Sequence, residues 1–200
     1  MLELLTGAGL AAAAGLNAYI PLLAIGLASR FLDFVSLPAA WTWLENEWVL
    51  GVLGVLLVVE FVADKIPAVD TVNDWVQTVV RPTAGGLVFG SGSSSETAAV
   101  TDPSAFFSSH EWVPIVSGIV IALGVHLAKM AVRPLLNVAT LGIAAPVASV
   151  VEDSASVLLA ILAMLLPLLL IVVLPLLVVG AVFGIRAIRR RRRLQYIAVS

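Results

Sequence analysis

The sequence predicts an all-α integral membrane protein, a bundle of about five or six hydrophobic helical segments that includes a re-entrant element. Of the 200 residues, 60% are hydrophobic and only 12% are charged. The mean hydropathy of +1.08 is far above that of a water-soluble domain of this size, because such a domain must present charged side chains on its surface. A water-soluble protein is therefore excluded, and the lipid bilayer is the first predicted partner.

The first half of the chain contains two predicted spans and one segment that is harder to place. Leu4–Ser29 is nearly continuous apolar sequence with an interruption at Asn17, and Trp48–Ile66 is the second span. Thr71–Gly90 is too polar to face lipid and too apolar for a free loop. We therefore expect an amphipathic or re-entrant segment near Pro82, packed inside protein.

The second half begins after a Ser-rich, low-complexity stretch that predicts a flexible loop over residues 91–111. Trp112–Val132 is the third predicted span. Pro134–Val151 carries no charge and is just long enough to cross as a fourth. Ser154–Gly184 is uncharged over 31 residues, which is longer than a bilayer core requires, so we expect kinks at its prolines.

Orientation follows from the basic tail, residues 186–200, which includes the run Arg189–Arg193. The positive-inside rule predicts a multi-pass protein of the inner (cell) membrane with a cytoplasmic C-terminus. Five crossings then place the N-terminus and the acidic loop before Trp112 outside, with Arg30 and Arg133 at the inner side; a sixth crossing through Thr71–Gly90 would overturn this order. A stop-transfer anchor explains the arginine run, so no nucleic-acid partner is predicted.

Ionisable side chains inside the predicted spans form two helical stripes. Glu60 and Asp64 are four residues apart, and His126, Lys129 and Arg133 are spaced by three and four, so each set shares one helix face. A charge inside the bilayer costs about 2.5–3.5 kcal/mol on insertion scales. The two stripes are therefore expected to pair across the bundle, either to lock helices together or to form a polar site for an ion, a proton or a charged headgroup.

Two asparagines give a second indication of a polar site. Asn17 precedes Pro21 by four residues, and Asn137 follows Pro134 by three. Proline has no N–H group, so it frees the carbonyl oxygen four residues before it. A free carbonyl beside an asparagine amide is suited to bind a cation or a small polar solute.

Short matches between the two halves of the chain indicate an inverted-topology repeat, with a site near the membrane midplane. Val-Arg-Pro occurs at 80–82 and again at 132–134. The segments that contain the two asparagines run in opposite directions in the five-crossing order. The predicted boundaries are one membrane domain, 1–200, with repeat halves 1–90 and 112–185, the loop 91–111 and the tail 186–200.

Motifs of soluble enzymes, such as a Walker loop, H-E-x-x-H or G-x-S-x-G, are absent from the sequence. Two histidines and no cysteine are too few for a His-rich or thiolate metal site. We therefore predict no enzyme, no metal and no cofactor. The candidate polar site consists of Asn17, Glu60, Asp64, Arg81, His126, Lys129, Arg133, Asn137, Glu152 and Asp153.

Four stretches of the chain match a known pattern: GLNAYIPLL at 15–23, EFVADKIPAVD at 60–70, VRPTAGGL at 80–87, and N-x-x-T-x-G…ED from 137 to 153. Together they resemble a bacterial multi-pass membrane family catalogued as domain of unknown function number 4126. The resemblance implies membership in that family and brings no activity with it.

The function these features favour is a small secondary transporter or channel-like protein for an ion or small polar solute. Glu60 and Asp64 would accept protons or cations, with Lys129 and Arg133 as counter-charges. A chain of 20.9 kDa is small for alternating access, which favours a homodimer. The alternatives are a structural or lipid-interacting protein without transport, and an intramembrane enzyme that acts on a lipid headgroup. A polar cavity around Glu60 would favour transport, and a dry, fully paired network would favour the structural role.

Overall fold

The computed structural model describes residues 2–33, 35–92, 112–140, 143, 145–180, 182 and 186, and within them it contains only helices and their connections. The all-α bundle predicted from the sequence is confirmed. Most of the predicted flexible loop, from residue 93 to 111, and the basic tail from residue 187 onward lie outside the described residues.

The helices, in chain order, are α1 (Leu2–Leu16), α2 (Tyr19–Phe31), a 3₁₀ helix (Ala39–Glu45), α3 (Glu47–Ala63), α4 (Pro67–Gly92), α5 (Trp112–Thr140), α6 (Ala145–Leu165) and α7 (Pro167–Gly180). By length and composition, α5 and α6 can each cross a membrane. The 3₁₀ helix and α3, bent by 61° to each other, make a third candidate. These apolar helices identify a membrane protein.

The first predicted span is a helical hairpin rather than a single crossing. In an uninterrupted helix, Thr6 and Ile25 would lie about 28 Å apart. Instead, both line one cavity of about 250 Å³, together with Met164 at the end of α6. α2 therefore folds back toward the end of the bundle where α1 begins, and Asn17 lies at the tip. The re-entrant element is thus α1–α2, enclosed by other helices as a broken helix in a bilayer must be.

α4 runs without a break for 26 residues through Pro82, where we had expected the re-entrant turn. Its length of about 39 Å exceeds the thickness of the hydrocarbon core. The outer face is exposed and apolar, with Val72, Trp75 and Val79 each at least 66% exposed, whereas the inner face is polar and buried. α4 is thus amphipathic, as the alternative prediction had it, with its apolar side facing outward as lipid contact requires.

The boundaries of the later helices differ from those predicted. α5 continues through Pro134 to Thr140, so the predicted span boundary at Pro134 is wrong. α6 begins at Ala145, which places Glu152 and Asp153 inside the helix and not at its end. Membrane helices tolerate an internal proline when neighbouring groups satisfy the freed carbonyl, which explains why α5 is not interrupted. The predicted kink at Pro167 is confirmed as a 3₁₀ turn at the start of α7, whereas α7 continues as helix through Pro175, the second proline at which we predict a kink.

The chain alternates between two ends of the bundle. The cavity end contains the start of α1 and the ends of α4 and α6, since Thr6, Ser91 and Met164 line the same cavity. The opposite end contains the connections from α3 to α4 and from α5 to α6. Because α2 folds back, Arg30 lies at the cavity end, where it donates to the Glu45 carbonyl at 2.8 Å. Our expectation that Arg30 and Arg133 share one side of the membrane is therefore wrong.

Glycines allow three helices to approach closely. A Cβ atom on Gly85 of α4 would lie 2.7 Å from the Gly118 carbonyl oxygen of α5, and one on Gly15 of α1 would lie 2.6 Å from the Ala122 carbonyl oxygen. Such contacts between small residues are the usual means by which membrane helices pack tightly. Gly54 of α3, by contrast, has nothing within 4 Å of an added Cβ atom.

Replacing Gly85 with alanine should destabilise the bundle by about 1–3 kcal/mol, because the added methyl group meets the α5 backbone, which cannot move away cheaply. Gly54→Ala is the matched control. It should leave stability unchanged or raise it by up to about 1 kcal/mol through helix propensity. Thermal unfolding of both variants in detergent measures the difference, and equal midpoints would contradict the described α4–α5 contact.

Candidate functional site

Ionisable side chains from four helices meet inside the bundle and form what we term the charge cluster. Its members are Glu60 and Asp64 from α3, Asp74 and Arg81 from α4, His126, Lys129 and Arg133 from α5, and Glu152 and Asp153 from α6. Arg81 and His126 are completely buried, and Glu60 and Asp64 are each 2% exposed. The cluster therefore lies in the low-dielectric interior, where charges interact strongly.

Asp64 is the centre of the ion-pair network. Its Oδ2 atom lies 3.2 Å from Lys129 Nζ, 3.3 Å from Arg133 Nη2 and 3.7 Å from Arg81 Nη2. Asn73 Nδ2 donates a hydrogen bond of 2.8 Å to Oδ1 of the same carboxylate. One carboxylate thus links α3 to cations on both α4 and α5.

Glu152 provides the second anionic contact for the two α5 cations. Arg133 binds this carboxylate through two nitrogens, with Nη2–Oε2 at 2.6 Å and Nε–Oε1 at 3.2 Å. Lys129 Nζ lies 3.1 Å from Glu152 Oε2. Lys129 and Arg133 are therefore held between the carboxylates of α3 and α6, and the two-point arginine contact fixes its geometry.

The predicted pairing of the acidic stripe with the basic stripe is confirmed for Asp64, but Glu60 has a different partner. Glu60 Oε1 accepts a 2.8 Å hydrogen bond from Arg81 Nη2, and both side chains are buried. The stripe pairing predicted a cation of α5 in this position. The α4 arginine takes this role because α4, a continuous helix, lies against α3 and α5 at this depth.

His126 is a hydrogen-bond relay rather than the cation that the basic stripe suggested. Arg81 Nη1 lies 3.1 Å from His126 Nδ1. Since arginine only donates, Nδ1 accepts, and the ring proton is on Nε2. Nε2 lies 3.1 Å from Thr78 Oγ1, which donates in turn to the Asp74 carbonyl oxygen at 2.8 Å. A ring in this arrangement is neutral.

Several buried polar atoms of the cluster region have no hydrogen-bond partner among the described residues. They are Glu60 Oε2, Asp74 Oδ1, Gln77 Oε1, Arg81 Nε, Ser149 Oγ and Asp153 Oδ2. Most buried polar groups in proteins are satisfied, so a concentration of oxygen acceptors without donors requires an explanation. Within the same part of the chain, no group of three or more His, Asp or Glu side chains is arranged to hold a metal ion.

Asn17 connects the hairpin tip to the cluster. Its Nδ2 atom donates to Asp153 Oδ1 at 3.0 Å, and its Oδ1 atom accepts from the backbone N–H groups of Tyr19 at 3.1 Å and Ile20 at 3.2 Å. The Tyr19 side chain lies beside Gln77 and near Glu60. The tip of α1–α2 thus contacts α6 through Asn17 and α4 through Tyr19 and Gln77.

Asn137, the counterpart predicted from the sequence, lies in α5, but its side chain is outside the described residues, so its role stays a prediction. The other nine predicted site residues lie in the charge cluster or contact it. Sequence reasoning missed Asp74, Gln77, Thr78 and Ser149. The spacing of Asp74, Gln77 and Arg81 along one helix face was a usable signal, because it repeats the periodicity of the two stripes.

The chain belongs to the family described as Domain of unknown function (DUF4126), whose model matches residues 4–187. No curated protein and no solved structure matches the chain. The family assignment confirms the resemblance seen in the sequence. It attaches no activity to the charge cluster.

Replacing Asp64 with asparagine should destabilise the protein by about 3–5 kcal/mol, because it leaves the buried cations of α4 and α5 without their shared counter-charge. The matched control is Glu47→Gln, which removes an exposed partner of Arg30 at 3.6 Å and should cost less than about 1 kcal/mol. Thermal unfolding in detergent gives both values. If Asp64→Asn is as stable as the control, the cluster does not hold the helices together.

Proposed function

We propose that this member of the family is a small secondary transporter or channel-like protein for an ion or small polar solute. The charge cluster would be the site at which a proton or cation binds and couples to movement of the helices. One observation carries this proposal: the cluster has more carboxylates than buried cations.

The excess can be counted from the residues described. Five carboxylates, those of Glu60, Asp64, Asp74, Glu152 and Asp153, accompany three buried cations, and His126 is neutral. Lys65 is only half-buried, with its ammonium group over the Phe61 ring; including it still leaves one carboxylate in excess. An uncompensated charge in the bilayer interior is costly, so the cluster is expected to bind a proton or a cation.

The location of the unpartnered oxygens favours a proton or cation that exchanges with solvent over one that is bound permanently to a carboxylate. Asp64 and Glu152, which contact several cations each, are the structural acids. Glu60 and Asp74 each retain a buried oxygen without a donor among the described residues. These two oxygens lie on neighbouring helices, α3 and α4, so a proton on either would change the balance of charge inside the cluster.

The hairpin and the repeated tripeptide give further support. Broken helices beside a polar site are typical of secondary transporters built from inverted repeats. Both Val-Arg-Pro tripeptides contribute their arginine, Arg81 or Arg133, to the charge cluster, from helices that run in opposite directions. α1 and α5 both begin at the cavity end, so the predicted opposite directions of the segments that contain Asn17 and Asn137 are wrong. The repeat halves 1–90 and 112–185 therefore rest on the tripeptides, and together with a homodimer they stay part of the proposal.

A structural or lipid-interacting role without transport is the second candidate, and two observations favour it. The described cavity of about 250 Å³ is lined by Thr6, Ile25, Ser91 and Met164, among others, and by none of the cluster residues. The two-point contact between Arg133 and Glu152 is typical of a permanent link between helices. Flux measurements separate the two candidates.

Replacing Glu60 with glutamine should abolish pH-driven flux in proteoliposomes and preserve the fold. Glutamine keeps the side-chain shape and can still accept from Arg81, but it cannot carry a proton. A pH-sensitive dye inside the vesicles reports proton movement, and Glu47→Gln is the control that should match the wild type. If the wild type shows no flux and the Glu60→Gln variant is less stable than the wild type, the structural role is supported. Wild-type flux in the variant would remove Glu60 from the coupling site.

We also propose a topology in which the C-terminus lies on the cytoplasmic side of the inner membrane. In this topology the cavity end of the bundle faces the outside. The natural chain has no cysteine, so single cysteines can be introduced at Glu47, an exposed cavity-end residue, and at Ile143, exposed at the opposite end. A membrane-impermeant maleimide added to intact cells should label Glu47→Cys and not Ile143→Cys. The reverse pattern would overturn the orientation, and equal labelling would overturn the assignment of the two ends.

A further inference from the structure

We propose that the tip of the α1–α2 hairpin binds a monovalent metal cation of the sodium class. The ligands would be the backbone carbonyl oxygens of Gly15, Leu16 and Asn17, the Ser149 hydroxyl and the free oxygen of the Asp153 carboxylate. This site shares the Asp153 carboxylate with the charge cluster, and its other ligands lie outside the cluster; cation binding there does not require that the proposed transport function is correct.

The three carbonyl oxygens are free because of the residues that follow them. In a continuous helix, the N–H groups of Tyr19 and Ile20 would donate to the carbonyls of Gly15 and Leu16. Asn17 Oδ1 accepts both N–H groups instead. Pro21 has no N–H to donate to the Asn17 carbonyl. Three successive carbonyls at the tip are thereby released from the helical hydrogen-bond pattern.

The electrostatics of the tip favour a cation over an anion. The free carbonyls lie at the C-terminal end of α1, where the helix dipole is negative, and the last turn of α1 contains no basic residue. The N–H groups at the start of α2, which could otherwise bind an anion, are already satisfied by Asn17. Asn17 is completely buried, so water cannot freely solvate these groups.

The register between α1 and α6 places Ser149 and Asp153 at this tip. Thr6 donates to the Ala163 carbonyl at 2.9 Å, Ser156 donates to the Ala13 carbonyl at 2.9 Å, and Asn17 donates to Asp153 at 3.0 Å. The two helices are therefore antiparallel, and their contacts advance together toward the tip. Ser149 lies one turn beyond Asp153 on the same face of α6, just past the point where α1 ends.

Both α6 side chains present an unused oxygen in this region. Ser149 is completely buried, and neither its Oγ atom nor Asp153 Oδ2 has a hydrogen-bond partner in the described part of the chain. Asp153 Oδ1 is occupied by Asn17, which orients the other oxygen of the same carboxylate. The buried cations of α5, Lys129 and Arg133, are bound to Asp64 and Glu152.

The donor set matches a singly charged, hard cation. Backbone carbonyls, a hydroxyl and a carboxylate are hard oxygen ligands, and broken membrane helices coordinate sodium through such carbonyls. One carboxylate balances one positive charge, whereas protein sites for calcium usually combine several carboxylates. The charge of a bound cation would also compensate one of the excess carboxylates of the cluster. A proton would then compensate another.

The test is cation binding by the purified protein in detergent. Thermal unfolding is followed while sodium chloride replaces choline chloride at constant ionic strength, with lithium and potassium chloride for comparison. Equilibrium dialysis with radioactive sodium measures binding without reference to unfolding. We expect a saturable rise in the unfolding midpoint and saturable sodium binding, both absent with choline.

Two variants and one control identify the site. Asp153→Asn keeps an oxygen that accepts from Asn17 but removes the charge, and Ser149→Ala removes only the hydroxyl. Each should weaken sodium binding by about tenfold or more. Ser154→Ala, on the exposed side of α6, should bind as the wild type does. Absence of saturable sodium binding by the wild type, or unchanged binding by both site variants, would overturn the proposal.

Binding and flux together distinguish this proposal from the proposed function. Sodium binding that depends on Asp153 and Ser149, without any flux in proteoliposomes, would support the tip site and overturn transport. Flux without saturable sodium binding would overturn the tip site and support transport through the charge cluster alone.

Discussion

The ion pairs of Asp64 join helices that apolar packing alone would not hold together. Lipid is as apolar as a leucine side chain, so burial of hydrophobic surface does little to associate helices inside a bilayer. α3 illustrates the consequence: Glu60 is its one fully buried residue, and Asp64 directly follows its last turn. α3 packs along α2, and its two carboxylates tie it to α4 and α5. The cations of α4 and α5 are buried in turn because those carboxylates are present.

The sequence was sufficient to predict what depends on local spacing. The stripes of α3 and α5, the interruption at Asn17 and the kink at Pro167 all follow from residue type and helical periodicity. The return of α2 beside α1 could not be predicted, because an apolar run of 26 residues reads the same whether it crosses once or folds back. The Glu60–Arg81 pair was missed for a related reason: the segment was predicted to be either amphipathic or re-entrant, and nothing local shows that it is one continuous helix against α3 and α5.

The hairpin tip and the charge cluster depend on each other. The Asn17 amide oxygen accepts the N–H groups of Tyr19 and Ile20, at the break between α1 and α2. Its amide nitrogen donates to Asp153. A change of charge near Asp153 would therefore act directly on the break between α1 and α2. The binding of a proton or cation at Asp153 would reach the hairpin through the Asn17 amide.

The central claim is that the charge cluster contains an exchangeable proton because its carboxylates outnumber its buried cations. Infrared difference spectroscopy of the protein in a lipid bilayer, between acidic and alkaline pH, detects the carbonyl stretch of a buried carboxylic acid. We expect a band that titrates with pH and that is reduced or shifted in Glu60→Gln or Asp74→Asn, but unchanged in Glu47→Gln. A spectrum in which no buried carboxylic acid titrates would contradict the account and indicate a permanently paired structural network.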